Sequence, residues 1–454
     1  MAERPGVVVD LAEKLRLELE SSLTDDRIGK TKRYLEGDHD LPVAPGAKPH
    51  AHRAIARKSI DNWLPLVTNT YAQSLFVDGF RPRRSADNAS VWATWQANGM
   101  DARQTIVTRS TLNYGVGYGL TLKSKGATPV MKSLSATKTT AWYEDDDDEW
   151  PVIALFRKGK TRDDQVLYHA LDDEFVYTIV EDGGKMIIRG IDPHGLPVCP
   201  VTRFRTQLDD ESVGVVYPLI PAQDRINEVT FALMMALRYA SFRQRYGSGL
   251  AIEFDEDDQP IAPFEAGVDQ LWITDNPEAK FGDFAQTETR GHLEAYTATI
   301  RTLAARGQIS PNILTGDMVN LSADALAQLR DSTERQCGEF RTVFGESWEQ
   351  WLRISALAAG DRTSALDTES EVRWRSSEPE SFATKIEALG AMVTLLGVPA
   401  ESVWELVPGV TDADIARWKA AAGQSDGMAM LASVLQGQSQ PVTPPSSSPE
   451  LGAA

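Results

Sequence analysis

Three long segments with helical periodicity in the second half of the chain constrain its fold more than any other feature. They span residues 218–247, Thr287–Arg306 and Ala323–Ala358, and apolar residues recur along each of them at helical spacing. At 1.5 Å per residue, a helix with the length of the second segment extends over about 30 Å. The order of these helices, and of the segments between them, is therefore the most informative property of the sequence.

The segments around the long helices have patterns of their own. Residues 250–284 are acidic, contain proline and hold short apolar runs, which predicts a compact insertion with β structure. Gly307–Asn320 interrupts the helical pattern with glycine and proline. Glu371–Arg375 is typical of a returning strand. Later helices are predicted at Ser381–Leu396, Ser402–Leu406 and Thr411–Ala422, and the Ser-, Pro- and Gln-rich residues from Gly423 onward are expected to be disordered.

The first half of the chain mixes helical and strand patterns, so the fold class is predicted to be α+β. Pro65 predicts either a kink or a helix start within the second of four helical segments. These segments are residues 9–35, Ser59–Leu75, Asn88–Asn98 and Asp101–Tyr114. Phe76–Phe80 is predicted to be a short strand or a turn. Strands are predicted at Gly119–Lys123, Val152–Arg157, Gln165–Ala170, Phe175–Val180 and Lys185–Arg189, the last two joined by a glycine hairpin turn at Asp182-Gly183-Gly184.

The charge of the chain is strongly acidic. The length of 454 residues corresponds to roughly three domains. The chain has 46 Lys and Arg residues and 65 Asp and Glu residues, which gives a net charge of −19. A protein that holds DNA tightly by neutralising phosphates is normally basic on at least one face. Tight static DNA binding is therefore disfavoured, whereas a surface past which DNA slides without sticking is compatible with this charge.

Signatures of catalysis and of metal binding are missing from the sequence. There is no phosphate-binding GxxxxGK[ST] loop, no HExxH and no CxxC, and Cys199 and Cys337 fit no disulfide framework or zinc spacing. The acidic run Glu144–Glu149 is predicted to be a solvated loop tip; a divalent-cation site is the alternative, although the glycine and spacing of a calcium loop are absent. We expect no enzyme activity and no cofactor. An acidic-site hydrolase or nuclease without a recognisable motif is the alternative.

The order of elements, together with several local strings, resembles the portal proteins of tailed bacteriophages, the head-to-tail connectors of long-tailed phages. The resemblance covers roughly residues 10–420, and no single string is as specific as a phosphate-binding loop. The strings are Asn62-Trp63 with Ser74–Phe80, Trp95–Asp101 with Asn113–Tyr118, Gln223-Asp224-Arg225-Ile226-Asn227, and Ser322-Ala323-Asp324-Ala325-Leu326.

The resemblance implies a portal-type subunit with an α/β wing, a two-helix stem, a small β-containing clip, a long bent helix and a helical crown. The implied regions are 1–217 for the wing, with a return strand in 367–380; 218–249 and 286–307 for the stem; 250–285 for the clip; 308–321 for a tunnel loop; 322–360 for the long helix; 381–422 for the crown; and 423–454 for a disordered tail.

The resemblance also implies a function and partners. The family forms a ring, usually of twelve subunits, at one capsid vertex, through which double-stranded DNA is packaged and ejected. Implied partners are the terminase large subunit that supplies ATP hydrolysis, the major capsid and scaffold proteins, and a head–tail adaptor. The implied location is the virion, after assembly in the host cytoplasm, and no contact with a membrane is expected, since no apolar run approaches the ~20 residues of a membrane helix.

Two sets of residues are candidates for contact with DNA in such a tunnel. Twelve copies would carry 12 × −19 = −228 charges, so only local cations can supply modest phosphate contacts. These are Arg238, Arg243, Arg245, Arg301 and Arg306, with ordinary surface positions or inter-subunit ion pairs as the alternative reading. The polar residues expected to line the tunnel loop are Asn312, Thr315, Asp317 and Asn320, with an ordinary surface turn as the alternative.

Overall fold

The chain folds into two compact units, one ending at Trp374 and the other starting at Arg375. The computed structural model describes residues 4–24, 27–44, 52–83, 89–124, 126, 128–208, 211–241, 245–248, 253–254, 260–261, 278, 280–283, 289–316, 323–375, 382–407, 410 and 414–422. Both units contain helices, and the first also contains the strands described below, so the α+β fold class is confirmed.

Helices make up much of both units. They are α1 Arg4–Thr24, α2 Arg27–Leu35, α3 Arg53–Lys58, α4 Leu64–Ser74, α5 Ala89–Ala97, α6 Met100–Tyr114, α7 Ile220–Ser241, α8 Arg290–Arg306, α9 Pro311–Thr315, α10 Ala323–Ala359, α11 Arg362–Ala365, α12 Phe382–Leu396 and α13 Ala400–Val403. Short 3₁₀ turns cover Tyr217–Leu219 and Trp404–Leu406, and residues 414–422 are helical as well.

The strands of the first unit form small antiparallel sheets. They are β1 Val77–Arg81, β2 Val116–Leu122, β3 Val130–Ser135, β4 Thr139–Trp142, β5 Ile153–Lys160, β6 Val166–Leu171, β7 Phe175–Asp182, β8 Lys185–Pro193, β9 Val201–Arg205, β10 Arg245–Ser248, β11 Glu253–Phe254, β12 Pro260–Ile261, β13 Lys280–Asp283 and β14 Glu371–Trp374. The sheet orders are β4-β5-β6-β7-β8, β3-β2-β9, β1-β14, β10-β13 and β11-β12.

The main core of the first unit surrounds α10. Trp348 and Trp351 on this helix are fully buried, and their rings lie 5.2 Å apart. Trp95 of α5 and Phe204 of β9 meet the Trp348 ring edge-on at 5.3 and 4.8 Å. Truncating a buried aromatic of this size costs about 3–5 kcal/mol, so these rings fix α10 against α5 and the three-stranded sheet.

A second, smaller core lies between α1 and the five-stranded sheet. Val8, Ala12 and Leu15 follow one face of α1 at helical spacing and pack with Leu155 and Tyr177 of the sheet. In β8 the sheet alternates residues that face the helix, such as Met186, with exposed ones, whereas Ala154, Phe156 and Leu171 of β5 and β6 are buried in a further cluster with Tyr118 and Leu120 of β2. The glycine turn between β7 and β8 is confirmed, since Gly183 and Gly184 have φ of 58° and 80°.

Most predicted elements are present, with three differences in extent. The one helix predicted over residues 9–35 is two helices, α1 from Arg4 to Thr24 and α2 from Arg27 to Leu35. Pro65 lies in the first turn of α4, so it starts that helix rather than kinking a longer one. The prediction of a helix through residue 247 is wrong, because α7 ends at Ser241 and residues 245–248 form β10, which pairs with β13 from Arg245↔Asp283 to Ser248↔Lys280. The β insertion therefore begins earlier than expected. The strands β3, β4 and β9 were not predicted from the sequence.

Candidate functional site

The helices α7 and α8 form an antiparallel pair, which we call the helix pair. The ladder between β10 and β13 joins the end of α7 to the start of α8. At the other end, Tyr296 of α8 and Gln223 of α7 both bond to Asp61, and a β-carbon at Gly307 would contact Leu219, just before α7. The described residues thus place the end of α8 beside the beginning of α7.

The structure does not bring the five candidate arginines together. Arg301 and Arg306 lie on the last turns of α8, beside the beginning of α7. Arg238 lies near the end of α7, about 27 Å from the beginning of that helix at 1.5 Å per residue. All three are exposed and form no hydrogen bond or ion pair with the described residues. Arg245 lies on strand β10 rather than on the predicted helix, and Arg243 is outside the described residues.

The segment 307–316 is anchored rather than being an open loop, which corrects the expectation for Asn312 and Thr315. Both lie on α9, a short helix with Pro311 in its first turn and Gly316, at φ 69°, as its C-cap. Proline favours that helix start, and a left-handed glycine ends it. The predicted tunnel-loop residues Asp317 and Asn320 lie outside the described residues.

Side chains from two helices, α4 and α10, hold this segment in place. The Tyr71 hydroxyl donates to the Gly307 carbonyl, and the Thr333 hydroxyl donates to the Gln308 carbonyl at 2.9 Å. Ile309 and Leu314 are buried in the main core. Asn312 and Thr315 remain half-buried on the other side of α9. Removing the segment would therefore open the core as well as change the surface.

A buried polar cluster, which we call the base network, fixes the beginning of α7. Asn227, which is 1% exposed, accepts hydrogen bonds at its Oδ1 from Gln223 Nε2 at 3.0 Å and from the Asp61 backbone N–H at 3.3 Å. Its Nδ2 donates to His39 Nδ1 at 2.9 Å. Gln223 also accepts from the Trp63 backbone N–H at 3.0 Å. Both amides thus satisfy backbone groups of the segment before α4.

His39 is held in one neutral form by these contacts. A carbonyl only accepts, so His39 Nε2 carries the proton that it donates to the Tyr34 carbonyl at 2.9 Å, and Nδ1 accepts from Asn227. Burial lowers the pKa of His39, because desolvation disfavours the charged imidazolium. The ring also stacks on Tyr34 with centroids 4.4 Å apart.

Two tyrosines extend the base network to α2 and α8. The Tyr34 hydroxyl donates to Asp224 Oδ1 at 2.8 Å, and the Tyr296 hydroxyl donates to Asp61 Oδ2 at 2.5 Å. Burial, followed by these carboxylate partners, raises the pKa of both tyrosines. The network therefore ties α2, the segment before α4, α7 and α8 together. It was not predicted as a unit, although the strings Asn62-Trp63 and Gln223–Asn227 supply much of it.

No helix among the described residues has the length and apolarity needed to cross a membrane. Within the same residues, no group of three or more His, Cys, Asp or Glu side chains is arranged to hold a metal ion. The acidic run Glu144–Glu149 is exposed throughout, as predicted. Cys199 and Cys337 are free and buried.

Comparison with known families identifies the chain. The family model described as "Phage portal protein, SPP1 Gp6-like" matches residues 20–428. The chain belongs to this phage portal protein family. The match includes the helix pair, the base network and the segment 307–316, so these features belong to a portal-family chain. A search among curated proteins finds no match.

Solved structures from gene transfer agent (GTA) particles are similar to this portal-family chain. One is described as the virion of a native GTA particle, with a TM-score of 0.43, 14% identity and coverage of 84% of this chain and 98% of that chain. Another, the neck of an empty GTA particle computed with C6 symmetry, has a TM-score of 0.45, 13% identity and coverage of 84% and 99%. A third, the neck of a native GTA particle computed with C12 symmetry, has a TM-score of 0.40, 12% identity and coverage of 82% and 95%.

Proposed function

We propose that this chain is the subunit of a portal ring, with twelve copies around an axial tunnel at one capsid vertex, through which double-stranded DNA is packaged and ejected. The observation that carries the proposal is the match of the portal family model to residues 20–428. The charge of −19 fits a tunnel that DNA passes without strong retention, because each tightly held phosphate would raise a barrier to movement. The ring would be part of the virion and would assemble in the host cytoplasm.

The proposed regions of the subunit follow the elements described above. The helix pair is the stem, and the β strands from Arg245 to Asp283 belong to the clip. Residues 1–217 with β14 form the wing, α10 is the long helix, and α12 with the helices after it forms the crown. The pairing of β14 with β1, in register from Phe80↔Val372 to Arg81↔Glu371, supports grouping the return strand with the wing.

The proposed tunnel contacts are Arg301, Arg306, Asn312 and Thr315. The two arginines are exposed without partners among the described residues, so their guanidinium groups are free to meet passing phosphates. α9 follows α8 directly, and its two polar residues are half-buried at the surface of the core. In a ring, one such set per subunit would give weak and repeated contacts.

We further propose that the ring itself hydrolyses no ATP. The terminase large subunit would dock on the clip and drive DNA, the major capsid and scaffold proteins would surround the wing, and a head–tail adaptor would complete the connection. An ATPase assay on the purified chain should give no turnover above a buffer control. Robust intrinsic hydrolysis would contradict the structural role and favour an enzyme.

The mass and shape of the assembled protein test the ring. Twelve copies of 49.9 kDa give 12 × 49.9 = 598.8 kDa, and negative-stain images should show a ring with a central hole. The measurement is native mass determination of the chain purified alone and of the chain co-expressed with capsid and scaffold proteins. A monomer or dimer that persists in the second sample would refute the portal ring.

A further inference from the structure

A group of basic side chains, which we call the basic cluster, lies where α6 and β3 meet the strands β5 and β6. Lys158 of β5 donates from its Nζ to Nε2 of His169 on the neighbouring strand β6, at 3.2 Å. Lys132 of β3 and Arg103 of α6, a helix that packs against β3, complete the cluster. Burial, followed by the positive charges of Lys158 and Arg103, lowers the pKa of Lys132, so the three cations act on one another.

The basic cluster carries positive charge that the chain leaves unpaired. Arg103, Lys132 and Lys158 are exposed, and none of them forms an ion pair with a described residue. His169 is neutral, because its Nε2 accepts from an ammonium group that only donates, and burial lowers the pKa of His169 to about 4. The charge of one acid, Asp192, also reaches His169, but the three cations outnumber it. Like charges held together repel one another, so an anionic partner would stabilise this surface.

The acidic run Glu144–Glu149 has the opposite charge and is held in a fixed position. All of it is exposed, and Asp146 pairs with Arg203 at 3.7 Å, whereas the other carboxylates form no ion pair with a described residue. Arg203 also donates to the Asp146 backbone carbonyl at 2.6 Å, and Gln350 Nε2 donates to the Glu149 carbonyl at 2.7 Å. A loop that is already fixed loses little conformational entropy on binding, which favours its docking on a cationic partner.

The acidic run and the basic cluster lie at opposite ends of the same strand. The run is in the loop between β4 and β5, next to the pair Trp142↔Ile153. Lys158 lies five residues further along β5, about 17 Å from Ile153 at 3.3 Å per residue. The two surfaces are therefore too far apart to pair within one chain, but each can pair with the other surface of a second copy.

Both surfaces also have a large exposed apolar side chain beside their charges. Ile106, which is 46% exposed, follows Arg103 by one turn on α6. Trp142, which is 43% exposed, is the last residue of β4 before the loop that carries the acidic run. Interfaces between proteins combine apolar contact with a charged and polar rim, so the two surfaces match in this respect as well as in charge.

We propose that the acidic run of one copy docks on the basic cluster of a second copy of this chain. The carboxylates of the run accept from the ammonium groups of Lys132 and Lys158 and from the guanidinium of Arg103, which can hold a carboxylate through two parallel N–H donors. The contact uses two different surfaces of each subunit, the heterologous type of interface that closes into a ring. The inference rests on the proposed ring and adds to it a specific contact between neighbouring subunits.

Zero-length cross-linking of the assembled full-length protein tests this contact. A carbodiimide joins a carboxylate to a lysine amine that already touches it, and the cross-linked dimer is isolated on a denaturing gel, digested and analysed by mass spectrometry. We expect peptides that link residues 144–149 to Lys132 or Lys158. If rings form and the dimer contains no such link, the inference is overturned while the portal ring stands. If the chain stays monomeric with capsid and scaffold proteins present, the ring is refuted and the contact with it.

Reversal of charge locates the two surfaces. The double variant Lys132→Glu with Lys158→Glu should lower the fraction of chains in rings at least five-fold, because it places acids against the acidic run. Adding Asp147→Lys and Asp148→Lys to this variant should restore most of the rings. Failure of the reversed acidic run to restore them would refute the pairing.

The matched control is Lys185→Glu with Arg189→Glu, which reverses two exposed cations of β8 and changes the net charge by the same amount. It should leave the ring fraction unchanged, and an equal loss in the control would refute the location. Circular dichroism checks folding; if the lysine double variant does not fold, the cross-link in the parent protein decides. Intact rings with weakened DNA binding in that variant, measured by fluorescence anisotropy, would assign the basic cluster to DNA and overturn the proposal.

Discussion

The base network and the exposed arginines both involve α7 and α8, but their side chains are in opposite environments. At the base, Asn227 and Gln223 are almost fully buried, and their amides bond to neighbouring segments. On the same helices, Arg238 near the end of α7 and Arg301 and Arg306 near the end of α8 are exposed and unpaired among the described residues. The residues that hold the helix pair in position are therefore distinct from the exposed residues available to DNA. Each set can be substituted without altering the other.

Asn227→Ala should break the base network and cause the largest loss of stability among these variants. It leaves His39 Nδ1, the Asp61 backbone N–H and one Gln223 contact unpaired in a buried site. Lost hydrogen bonds of this kind lower the free energy of unfolding by about 2–4 kcal/mol. Urea unfolding followed by circular dichroism measures the change. The control Glu228→Ala alters the next, exposed residue of α7 and should change it by less than about 0.5 kcal/mol; equal losses in both variants would contradict the network's role.

Gly119→Ala should destabilise the packing of α10 on β2 by steric overlap, whereas Asn227→Ala acts through lost hydrogen bonds. A β-carbon at Gly119 would collide with the buried indole of Trp351, the ring that ties α10 to β2. Overpacking of a core costs about 1–3 kcal/mol. Gly190→Ala in β8 is the control, because its β-carbon would lie 3.8 Å from Thr178, an ordinary contact. The midpoint of thermal unfolding should fall in Gly119→Ala and stay unchanged in Gly190→Ala. An unchanged midpoint for Gly119→Ala would show that α10 can move to accommodate the added methyl group.

The half-buried carboxyl of Glu349 differs from the groups of the base network, because fewer hydrogen bonds compensate its burial. Glu349 of α10 accepts a hydrogen bond from the Val372 backbone N–H at 3.2 Å, yet burial raises the pKa of Glu349 to about 7. The folded chain therefore holds the proton more tightly than the unfolded chain. Stability should fall as the pH rises from 4.5 to 7, because over that window the folded state must give up a proton that the unfolded state has already lost.

Glu349→Gln should remove this pH dependence. The variant should be more stable than the parent chain above pH 7, and the difference should shrink towards pH 4.5, where the parent carboxyl is protonated in both states. Thermal unfolding at several pH values checks it. Glu339→Gln, an exposed position on the same helix, serves as control. A difference between Glu349→Gln and the parent that is constant with pH would contradict the raised pKa.

Much of the fold follows from sequence periodicity, because the long helices bury continuous apolar stripes. The stripe that includes Phe344, Trp348 and Trp351 predicted α10 and its buried face correctly. The end of α7 was misjudged, since Arg245–Ser248 has no strong β signal and becomes a strand only by pairing with β13, far along the chain. Short strands such as β3 and β4 are likewise set by their partners rather than by their own residues.

The site was less predictable than the fold. The strings that carry the resemblance to portal proteins turn out to be structural in the described residues: Trp95 Nε1 donates to Asp101 at 2.8 Å, and Gln223 and Asn227 build the base network. Exposed arginines have no comparable signature, because a surface cation looks the same whether it meets DNA, water or a neighbouring subunit. Burial of Ile309 and Leu314 also could not be seen in a segment that reads as a loop.

Replacing the exposed arginines should have the smallest effect on stability and the most specific effect on the proposed function. Arg301→Ala and Arg306→Ala each remove an unpaired, exposed side chain, so the free energy of unfolding should change by less than about 0.5 kcal/mol. If these residues meet DNA in the tunnel, the double variant should still form rings, but the ratio of filled to empty capsids should fall severalfold.

Arg290→Ala is the matched control for this double variant, because Arg290 is an exposed arginine of α8 that already pairs with Glu294 at 3.0 Å. It removes the same kind of charge at the opposite end of the helix and should leave packaging near the parent level. Equal packaging defects in the control and the double variant would mean that packaging responds to net charge and not to position. Loss of rings in the double variant would instead show that Arg301 and Arg306 form contacts between subunits. The distinction between residues that hold the structure together and residues that face DNA would then be wrong.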